Sequence, residues 1–162
     1  MGTITVTRNL NVNAERVWAA LADFGNIAAF HPGLSGSYLL DGSAATGVGA
    51  ERRCDLKDRN YLVERVRDWQ EGRAYTVDII DSSMPLQRAT ATLRVDPIDA
   101  NRCTASMHVD MTLKFGLLGK VMEILAARSA MRRTMTGILG GLDTFVTIDQ
   151  KTPQGAPVAA ST

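Results

Sequence analysis

The 162-residue sequence is poor in the residues that mark disulfide-rich and metal-binding proteins. It has two cysteines, Cys54 and Cys103, and two histidines, His31 and His108, and neither pair is closely spaced. We therefore predict no disulfide framework and no metal or other cofactor. No segment approaches the roughly 18 consecutive apolar residues of a membrane span. The N-terminus alternates rather than forming an apolar signal sequence, and two free thiols suit a reducing compartment, so we expect a cytoplasmic protein.

The sequence also lacks an excess of positive or negative charge. The formal net charge is +1 and the isoelectric point about 7.8, which argues against a dedicated nucleic-acid-binding protein. The motifs of hydrolases, metalloproteases and phosphate-binding loops are missing as well. The length and the hydrophobic fraction of 45% fit one globular domain. We assign it to residues 1–149 and expect the small, polar residues 150–162 to form a disordered tail.

Hydrophobic periodicity predicts an α+β protein. Residues 3–12 alternate like a half-buried strand, and Asn13 is expected to cap a helix over 14–24. A second short helix over 24–30 ends at the His31-Pro32-Gly33 step. Six further strands follow at a period of two, and their short connections predict antiparallel neighbours. These strands are predicted near 36–41, 47–56, 61–69, 73–81, 87–96 and 102–114.

The period changes over residues 117–148, which predict one long amphipathic helix. Its apolar stripe repeats at about 100° per residue and contains Val121, Leu125, Met135, Leu139, Leu142 and Val146. Three glycines, Gly137, Gly140 and Gly141, weaken the helix by about 1 kcal/mol each relative to alanine. They either allow close packing of the helix on the sheet or leave room for a ligand.

Several short segments resemble a known family. They are Ala14-Glu15-Arg16-Val17-Trp18, Asp23-Phe24-Gly25, Phe30-His31-Pro32-Gly33, Gly47-Val48-Gly49-Ala50-Glu51-Arg52-Arg53, Glu64-Arg65-Val66, and Pro85-Leu86 before Ala91-Thr92-Leu93-Arg94-Val95. They are similar to bacterial polyketide cyclase/dehydrase-like proteins of the START and birch-pollen-allergen-like (SRPBCC) superfamily. The resemblance spans residues 3–148. It implies a helix-grip fold, in which a seven-stranded curved antiparallel sheet wraps around a long C-terminal helix, with two short helices after the first strand.

The resemblance further implies an apolar ligand cavity in a fold that hosts carriers, receptors and cyclases. Three positions depart from the family pattern. Phe30 and Met107 stand where tryptophan is frequent, and Ala89 stands where an aromatic residue is frequent. Smaller or more flexible side chains at these positions predict an enlarged or softer pocket wall.

Arg52 and Glu64 are the most informative polar residues. Arg52 shares the parity of Ala50 and Cys54, and Glu64 shares that of Val66. A hairpin that turns at Asp58 places Arg52 opposite Glu64, and since an unpaired buried charge is costly, each implies the other. The resemblance implies that Glu64 faces the ligand. The alternatives are a structural ion pair in the cavity floor, or a slipped register that places both residues outside.

Each of the other candidate site residues has two interpretations. Arg132 falls within the apolar stripe, where it either anchors an acidic ligand group or extends its head to solvent. His31 either transfers protons at the cavity mouth or only ends the short helix. Tyr75 reaches the cavity or belongs to the core, and Met107 lines the pocket or fills the core. His108 has the opposite parity from its apolar neighbours, so we expect it in solvent.

These residues lead to three hypotheses about function. We favour binding of a hydrophobic or aromatic small molecule, lipid-like or polyketide-like, because no acid–base pair is visible at close spacing. The second is a cyclase or dehydratase in which Glu64 or His31 moves protons while Arg52 or Arg132 polarises a carbonyl. The third is an interaction protein that uses apolar loops near 57–60 and 82–87. In each case we expect a monomer or homodimer without nucleic acid.

Overall fold

One antiparallel sheet and one long helix dominate the computed structural model, which describes residues 2–114 and 121–151. The strand order across the seven-stranded sheet is β1-β7-β6-β5-β4-β3-β2. The sheet curves around the C-terminal helix, so the predicted α+β helix-grip fold is confirmed. The elements in chain order are β1 (Gly2–Leu10), α1 (Ala14–Ala22), a 3₁₀ helix (Phe24–Ala29), β2 (Leu34–Leu39), β3 (Glu51–Leu56), β4 (Tyr61–Gln70), β5 (Ala74–Ser82), β6 (Leu86–Pro97), β7 (Cys103–Leu113) and α2 (Val121–Lys151).

Local signals in the sequence account for the two short helices. The Asn13 side chain accepts a hydrogen bond from the Arg16 backbone N–H at 2.9 Å, which satisfies one free donor of α1. The large apolar residues of this region are buried, and Trp18 joins Val17, Leu21 and Phe24 in the core. The 3₁₀ helix then leads directly to His31. Both helices therefore serve to bring Phe24 and His31 to the concave side of the sheet.

Two element boundaries differ from the prediction by three or more residues. β3 begins at Glu51 rather than at residue 47, because Gly47 and Gly49 each adopt a φ of 88°, which interrupts an extended chain. Val48 between them is 67% exposed instead of sharing the inner face. α2 continues to Lys151, three residues beyond the predicted end. Positions 117–120 of the predicted helix and 152–162 of the predicted tail lie outside the described residues.

The core lies between the concave face of the sheet and the second half of α2. The helix buries Met135, Ile138, Leu139, Leu142 and Val146 there, as the stripe predicts for four of them. The prediction is wrong for Leu125, which is 56% exposed. Val121 lies in α2, but its side chain is not described.

Gly141 explains how α2 approaches the rest of the molecule. A Cβ atom at this position would lie 2.0 Å from the carbonyl oxygen of Phe30, so only glycine fits. Gly137 faces Pro32, while a Cβ at Gly140 would meet nothing nearer than 4.0 Å. Close packing is therefore the correct alternative at Gly141, but its partner is the loop after the 3₁₀ helix and not the sheet. The helix thereby fixes the loop that carries His31.

Within residues 2–114 and 121–151 no helix could span a membrane, since α2 has the length but not the apolar composition that a span needs.

Candidate functional site

A buried ion pair lies on the inner face of β3 and β4, toward the β2 edge of the sheet. Arg52 of β3 and Glu64 of β4 are directly opposite each other in the register, as the hairpin argument predicted. The Arg52 Nε donates to Glu64 Oε2 at 2.5 Å. The Arg52 side chain is 1% exposed and that of Glu64 is 11% exposed. The predicted pair therefore exists, and only its carboxylate member reaches solvent.

The guanidinium of Arg52 is largely satisfied by the protein itself. Its Nη1 donates to the carbonyl oxygen of Phe24 at 2.7 Å, and its Cζ lies 4.1 Å from the centre of the Phe24 ring. Tyr75 contributes a second ring, 5.9 Å away. Burial is the largest single influence and acts to lower the pKa of Arg52, but the charge and hydrogen bond of Glu64, together with Tyr75 and Cys54, raise the pKa above its ordinary value. Arg52 is therefore a fixed cation that orients Glu64.

Glu64 retains an unused acceptor. Arg52 and the Cys54 thiol, 3.8 Å away, both approach Oε2. No residue within the described parts of the chain donates to Oε1. Burial, together with the nearby carboxylate, raises the pKa of Cys54 to about 12, so this thiol stays protonated and is a weak donor rather than a nucleophile. The free Oε1 is suited to accept a hydrogen bond from a bound hydroxyl group.

His31 is the second titratable group of the site. It is half-buried, and its Nδ1 accepts a hydrogen bond from the Gly33 backbone N–H at 3.0 Å. Burial lowers the pKa of His31, while the negative charge of Glu64 acts in the opposite direction. The neutral imidazole therefore carries its proton on Nε2, since Nδ1 is occupied as an acceptor. His31 and Glu64 are close enough to influence each other electrostatically, which their distance in sequence did not reveal.

Tyr75 lies in an aromatic cluster behind the ion pair. Its ring stacks on Trp69 at 5.6 Å and 12°, and meets Phe24 edge-on at 5.6 Å. Trp18 completes the cluster, 5.2 Å from Trp69. The Tyr75 side chain is fully buried, and its hydroxyl has no hydrogen-bond partner of ordinary geometry in the described parts of the chain. Burial raises the pKa of Tyr75, so the hydroxyl is protonated and free to donate or accept.

Sequence reasoning missed the contribution of the two tryptophans. The indole N–H groups of Trp18 and Trp69 donate to the two carboxylate oxygens of Glu71, at 2.8 and 2.7 Å, and lower its pKa. Trp69 reaches the inner face because the register of β4 shifts between Val66 and Asp68, so that Trp69 pairs with Tyr75. No bulge signal in the sequence marks that shift. Glu71 thus fixes one closed, aromatic end of the concave face.

The opposite end of the concave face, which we call the open end, faces the first half of α2, whose large apolar side chains are exposed. From Glu64, the pairing register leads across β5, β6 and β7 to the Gly2–Thr3 end of β1. There Arg128, in the first half of α2, donates to the Thr3 carbonyl at 3.3 Å. Inner residues of the sheet near this end are small or flexible, such as Ala89 and Met111. The ion pair is therefore level with the half of α2 that is not covered.

The remaining candidates lie at the edges of this site or outside it. Arg132 is exposed, which agrees with the solvent alternative, and Arg128 is exposed as well. Met107 is buried opposite Leu93, at the level of the aromatic cluster. His108 lies on the outer face, where it contacts the Thr5 hydroxyl at 2.8 Å.

Two further expectations concern metals and loops. Within residues 2–114 and 121–151, no three His, Cys, Asp or Glu side chains come together as a metal site requires. The loops at 57–60 and 82–87 contribute none of the large apolar side chains that are exposed in the described structure. Three such side chains occur instead at the start of α2, namely Met122, Ile124 and Leu125.

A curved sheet that encloses a polar pair and grips a long helix defines the helix-grip class. The sequence matches a family model described as "Polyketide cyclase / dehydrase and lipid transport" over residues 1–146, and the chain belongs to this family. The suspected membership is thereby confirmed. No protein with a curated description matched the sequence.

Solved structures support the same class. The Zhui aromatase/cyclase from Streptomyces sp. R1128 aligns with a TM-score of 0.79 at 17% identity, over 96% of this chain and 99% of its own. A START superfamily protein from Mycobacterium smegmatis aligns with a TM-score of 0.71 at 14% identity, over 93% and 99%. The di-domain ARO/CYC BexL of the BE-7585A biosynthetic pathway aligns with a TM-score of 0.74 at 13% identity, over 94% of this chain and 48% of its own. At these identities the likeness establishes the fold alone.

Proposed function

We propose that this protein binds a hydrophobic or aromatic small molecule between the open end of the sheet and the first half of α2. The single observation that carries the proposal is the exposure of the helix stripe above the ion pair. Ile124 lies on the sheet-facing side of α2, about three turns before the buried Met135 and about five turns before Leu142, yet it is 48% exposed. Such a stripe on a globular helix is normally covered, and an apolar ligand beneath it supplies the missing contact.

The polar groups of the site suggest what the ligand carries. Oε1 of Glu64 is a charged acceptor without a donor, and Nε2 of a neutral His31 is a donor. A phenol, enol or alcohol satisfies Glu64, and a carbonyl or ether oxygen satisfies His31. Arg52 is occupied by Glu64 and Phe24, so it orients the carboxylate rather than binding a ligand acid. We therefore propose a hydroxylated apolar ligand, in keeping with the polyketides and lipids that the family description names.

The test of the binding site uses two matched substitutions. Ala89→Phe adds a ring at the open end, and Ala105→Phe adds the same ring opposite Arg8 at the closed end. If Ala89 borders a ligand site, its variant keeps its stability but loses saturable binding of a hydrophobic fluorophore. Ala105→Phe should lose at least about 1–3 kcal/mol of stability through overpacking. Equal destabilisation by both changes would show that the open end is a solid core.

The hydroxyl preference is tested with ligand pairs. We expect a naphthol to bind more tightly than its methyl ether, by about 1.5–3 kcal/mol, because only the naphthol donates to Glu64. Glu64→Gln should reduce this difference. The control Glu51→Gln changes the neighbouring carboxylate, which pairs with Arg65 on the outer face, and should leave the difference unchanged. An equal preference in the parent protein contradicts the assigned role of Oε1.

One observation favours a second function. His31 and Glu64 act on each other electrostatically at one site, and such a pair can remove a proton beside a carbonyl and return it. If the ligand is also a substrate, the protein should exchange the methyl protons of an aromatic ketone for solvent deuterium. We expect this exchange to disappear in His31→Gln and in Glu64→Gln. Binding without exchange supports the binding module alone.

A further inference from the structure

The convex face of the sheet carries a hydroxyl group, an imidazole and a carboxylate in one chain of hydrogen bonds. Thr5 of β1 lies directly opposite His108 of β7 in the strand register, and its Oγ1 is 2.8 Å from His108 Nδ1. The other ring nitrogen, Nε2, is 3.2 Å from Oδ2 of Asp110 on the same strand. Because side chains alternate along a strand, His108 and Asp110 share the outer face while Val109 and Met111 are buried. We call Thr5, His108 and Asp110 the outer relay.

The hydrogen bonds of the outer relay run in one direction when the imidazole is neutral. An ionised carboxylate only accepts hydrogen bonds, so Nε2 of His108 carries the ring proton and donates it to Asp110. Nδ1 is then an acceptor, and the Thr5 hydroxyl is its donor. A proton can therefore pass from the Thr5 oxygen to the imidazole, whose positive charge the Asp110 carboxylate stabilises.

A second threonine holds the Asp110 carboxylate in place. The Thr3 hydroxyl donates to Oδ1 of Asp110, so each carboxylate oxygen has its own donor. The hydrogen bond from Thr3, followed by that from His108, lowers the pKa of Asp110. The carboxylate therefore stays charged and keeps a fixed orientation toward the imidazole.

The outer relay has the arrangement that activates a hydroxyl nucleophile. Such a nucleophile requires a base within about 2.6–3.2 Å and a third group that orients the base. Thr5 is exposed, so a reagent in solution can reach its hydroxyl. Thr7, which is exposed on the same face two residues along β1, lies opposite Ser106, and none of the described residues forms a hydrogen bond to its hydroxyl. The two threonines therefore differ in the base beside them and not in their accessibility.

We propose that Thr5 is a nucleophile that accepts an acyl group from an activated ester. The Thr5 oxygen attacks the carbonyl carbon while its proton passes to Nδ1 of His108, which gives a tetrahedral intermediate. The bond to the leaving oxygen then breaks, and the leaving group departs as its alcohol or phenol with the proton that His108 took. Thr5 keeps the acyl group as an ester. Water, activated by the same imidazole, hydrolyses this ester to the free acid and restores the hydroxyl.

The exposure of the outer relay determines which acyl donors react. The side chains of His108 and Asp110 are 43% and 46% exposed, so water weakens the electrostatic support that an enclosed site would give. Donors with good leaving groups, such as aryl esters, therefore acylate Thr5, whereas amides do not. The outer relay lies on the opposite face of the sheet from Glu64, so this reactivity is additional to the proposed ligand binding.

Mass spectrometry of the full-length protein after treatment with p-nitrophenyl acetate tests the assignment. We expect one acetyl group on Thr5, which hydroxylamine releases as it releases other esters. Acetylation should be at least about tenfold slower in His108→Gln, because a positioned general base contributes about 10²–10⁴-fold. Asp110→Asn should slow it as well, without a matching loss of stability, because an amide can hold the wrong tautomer of the imidazole. Thr5→Val keeps the shape of the side chain and should lose the label, whereas Thr5→Ser should keep it.

Thr7 provides the matched control within the same strand. It should remain unlabelled, and Thr7→Val should leave the acetylation of Thr5 unchanged. Equal labelling of Thr5 and Thr7, or a rate that His108→Gln does not alter, overturns the proposal. Acetyl groups confined to lysines and the N-terminus, which resist hydroxylamine as amides, overturn it too. Release of p-nitrophenolate that persists undiminished in Thr5→Val would place the ester cleavage elsewhere in the molecule and remove the role of Thr5.

Discussion

The two halves of α2 carry similar apolar content but differ in what covers them. From Met135 to Val146 the sheet-facing stripe is almost fully buried, and Gly141 brings the helix against the backbone of Phe30. From Met122 to Met131 the same side of the helix is exposed or half-buried. The second half holds the domain together, whereas the first half spans an opening above a buried ion pair.

This difference indicates which member of the Arg52–Glu64 ion pair a ligand can reach. Arg52 is 1% exposed and is enclosed by Phe24 and Glu64, while the carboxylate side chain is 11% exposed toward the open end. A structural ion pair gains nothing from exposing one member. An ion pair that presents a fixed, oriented carboxylate to a ligand requires this arrangement.

Disrupting the ion pair should give the largest effect on stability. Arg52→Met leaves Glu64 buried without its partner, and we expect a loss of about 3–5 kcal/mol in the free energy of unfolding. Glu64→Leu should cost at least as much, because it leaves the 1% exposed Arg52 cation with the Phe24 carbonyl but no counter-charge. The double variant should cost less than the sum of the single variants, as denaturant unfolding measures. Additivity within about 0.5 kcal/mol would mean that the two side chains do not interact in solution.

The second prediction tests the two halves of α2 directly. Leu139→Ala removes a 1% exposed side chain and should cost about 2–5 kcal/mol. Leu125→Ala makes the same change at 56% exposure, and should change stability by under about 0.5 kcal/mol. Both changes have the same effect on helix propensity, so the difference reports packing alone. Similar losses at both positions would show that the first half is packed in solution.

Substitutions at two glycines of α2 should change the stability by smaller amounts. Gly141→Ala places a methyl group 2.0 Å from the Phe30 oxygen, so the loop must move, and we expect a loss of about 1–3 kcal/mol. Gly140→Ala meets nothing within 4.0 Å and should stabilise the helix by up to about 1 kcal/mol. Thermal unfolding of the two variants in parallel measures these opposite signs. A stabilising Gly141→Ala would contradict the close contact.

Much of this architecture could be predicted from the sequence, for physical reasons. The opposition of Arg52 and Glu64 follows from strand parity and a turn at Asp58, because a one-residue slip would bury neither charge. The cap at Asn13 and the burial of Val17 and Leu21 follow from local chemistry and helical period. These features depend on neighbours in sequence or on one hairpin.

Features that depend on distant contacts were not predictable. Leu125 and Leu139 have equal hydrophobicity and lie on similar sides of one helix, so the helical period cannot tell which has a sheet beneath it. The role of Trp69 depends on a register shift in β4 that carries no local signature. The influence of the Glu64 charge on His31 likewise joins residues that are far apart in sequence and carries no local signal. Each of these features depends on tertiary contacts rather than on the local preferences of the sequence.

The smallest effect concerns the protonation of His31. Its ordinary pKa is 6.5, and burial lowers the pKa in the folded protein. At pH values below 6.5 and above the folded pKa, the unfolded chain binds more protons than the folded one, so stability falls as the pH is lowered through this window. Above pH 6.5 this contribution is fully present. We expect His31→Gln to lose part of the decline in stability between about pH 7 and about pH 5.

Two further variants separate this effect from general acid destabilisation. His108→Gln alters the histidine on the outer face and should retain the decline that His31 causes, since it leaves the buried imidazole unchanged. Glu64→Gln removes the charge that raises the pKa of His31, so the folded pKa should fall further and the decline should extend to lower pH. Nuclear magnetic resonance titration of the His31 ring would show the same displacement directly. If Glu64→Gln leaves that titration unchanged, the two groups do not share a site, and the proposed proton transfer has no basis. Ligand binding at the open end would still be tested separately by Ala89→Phe.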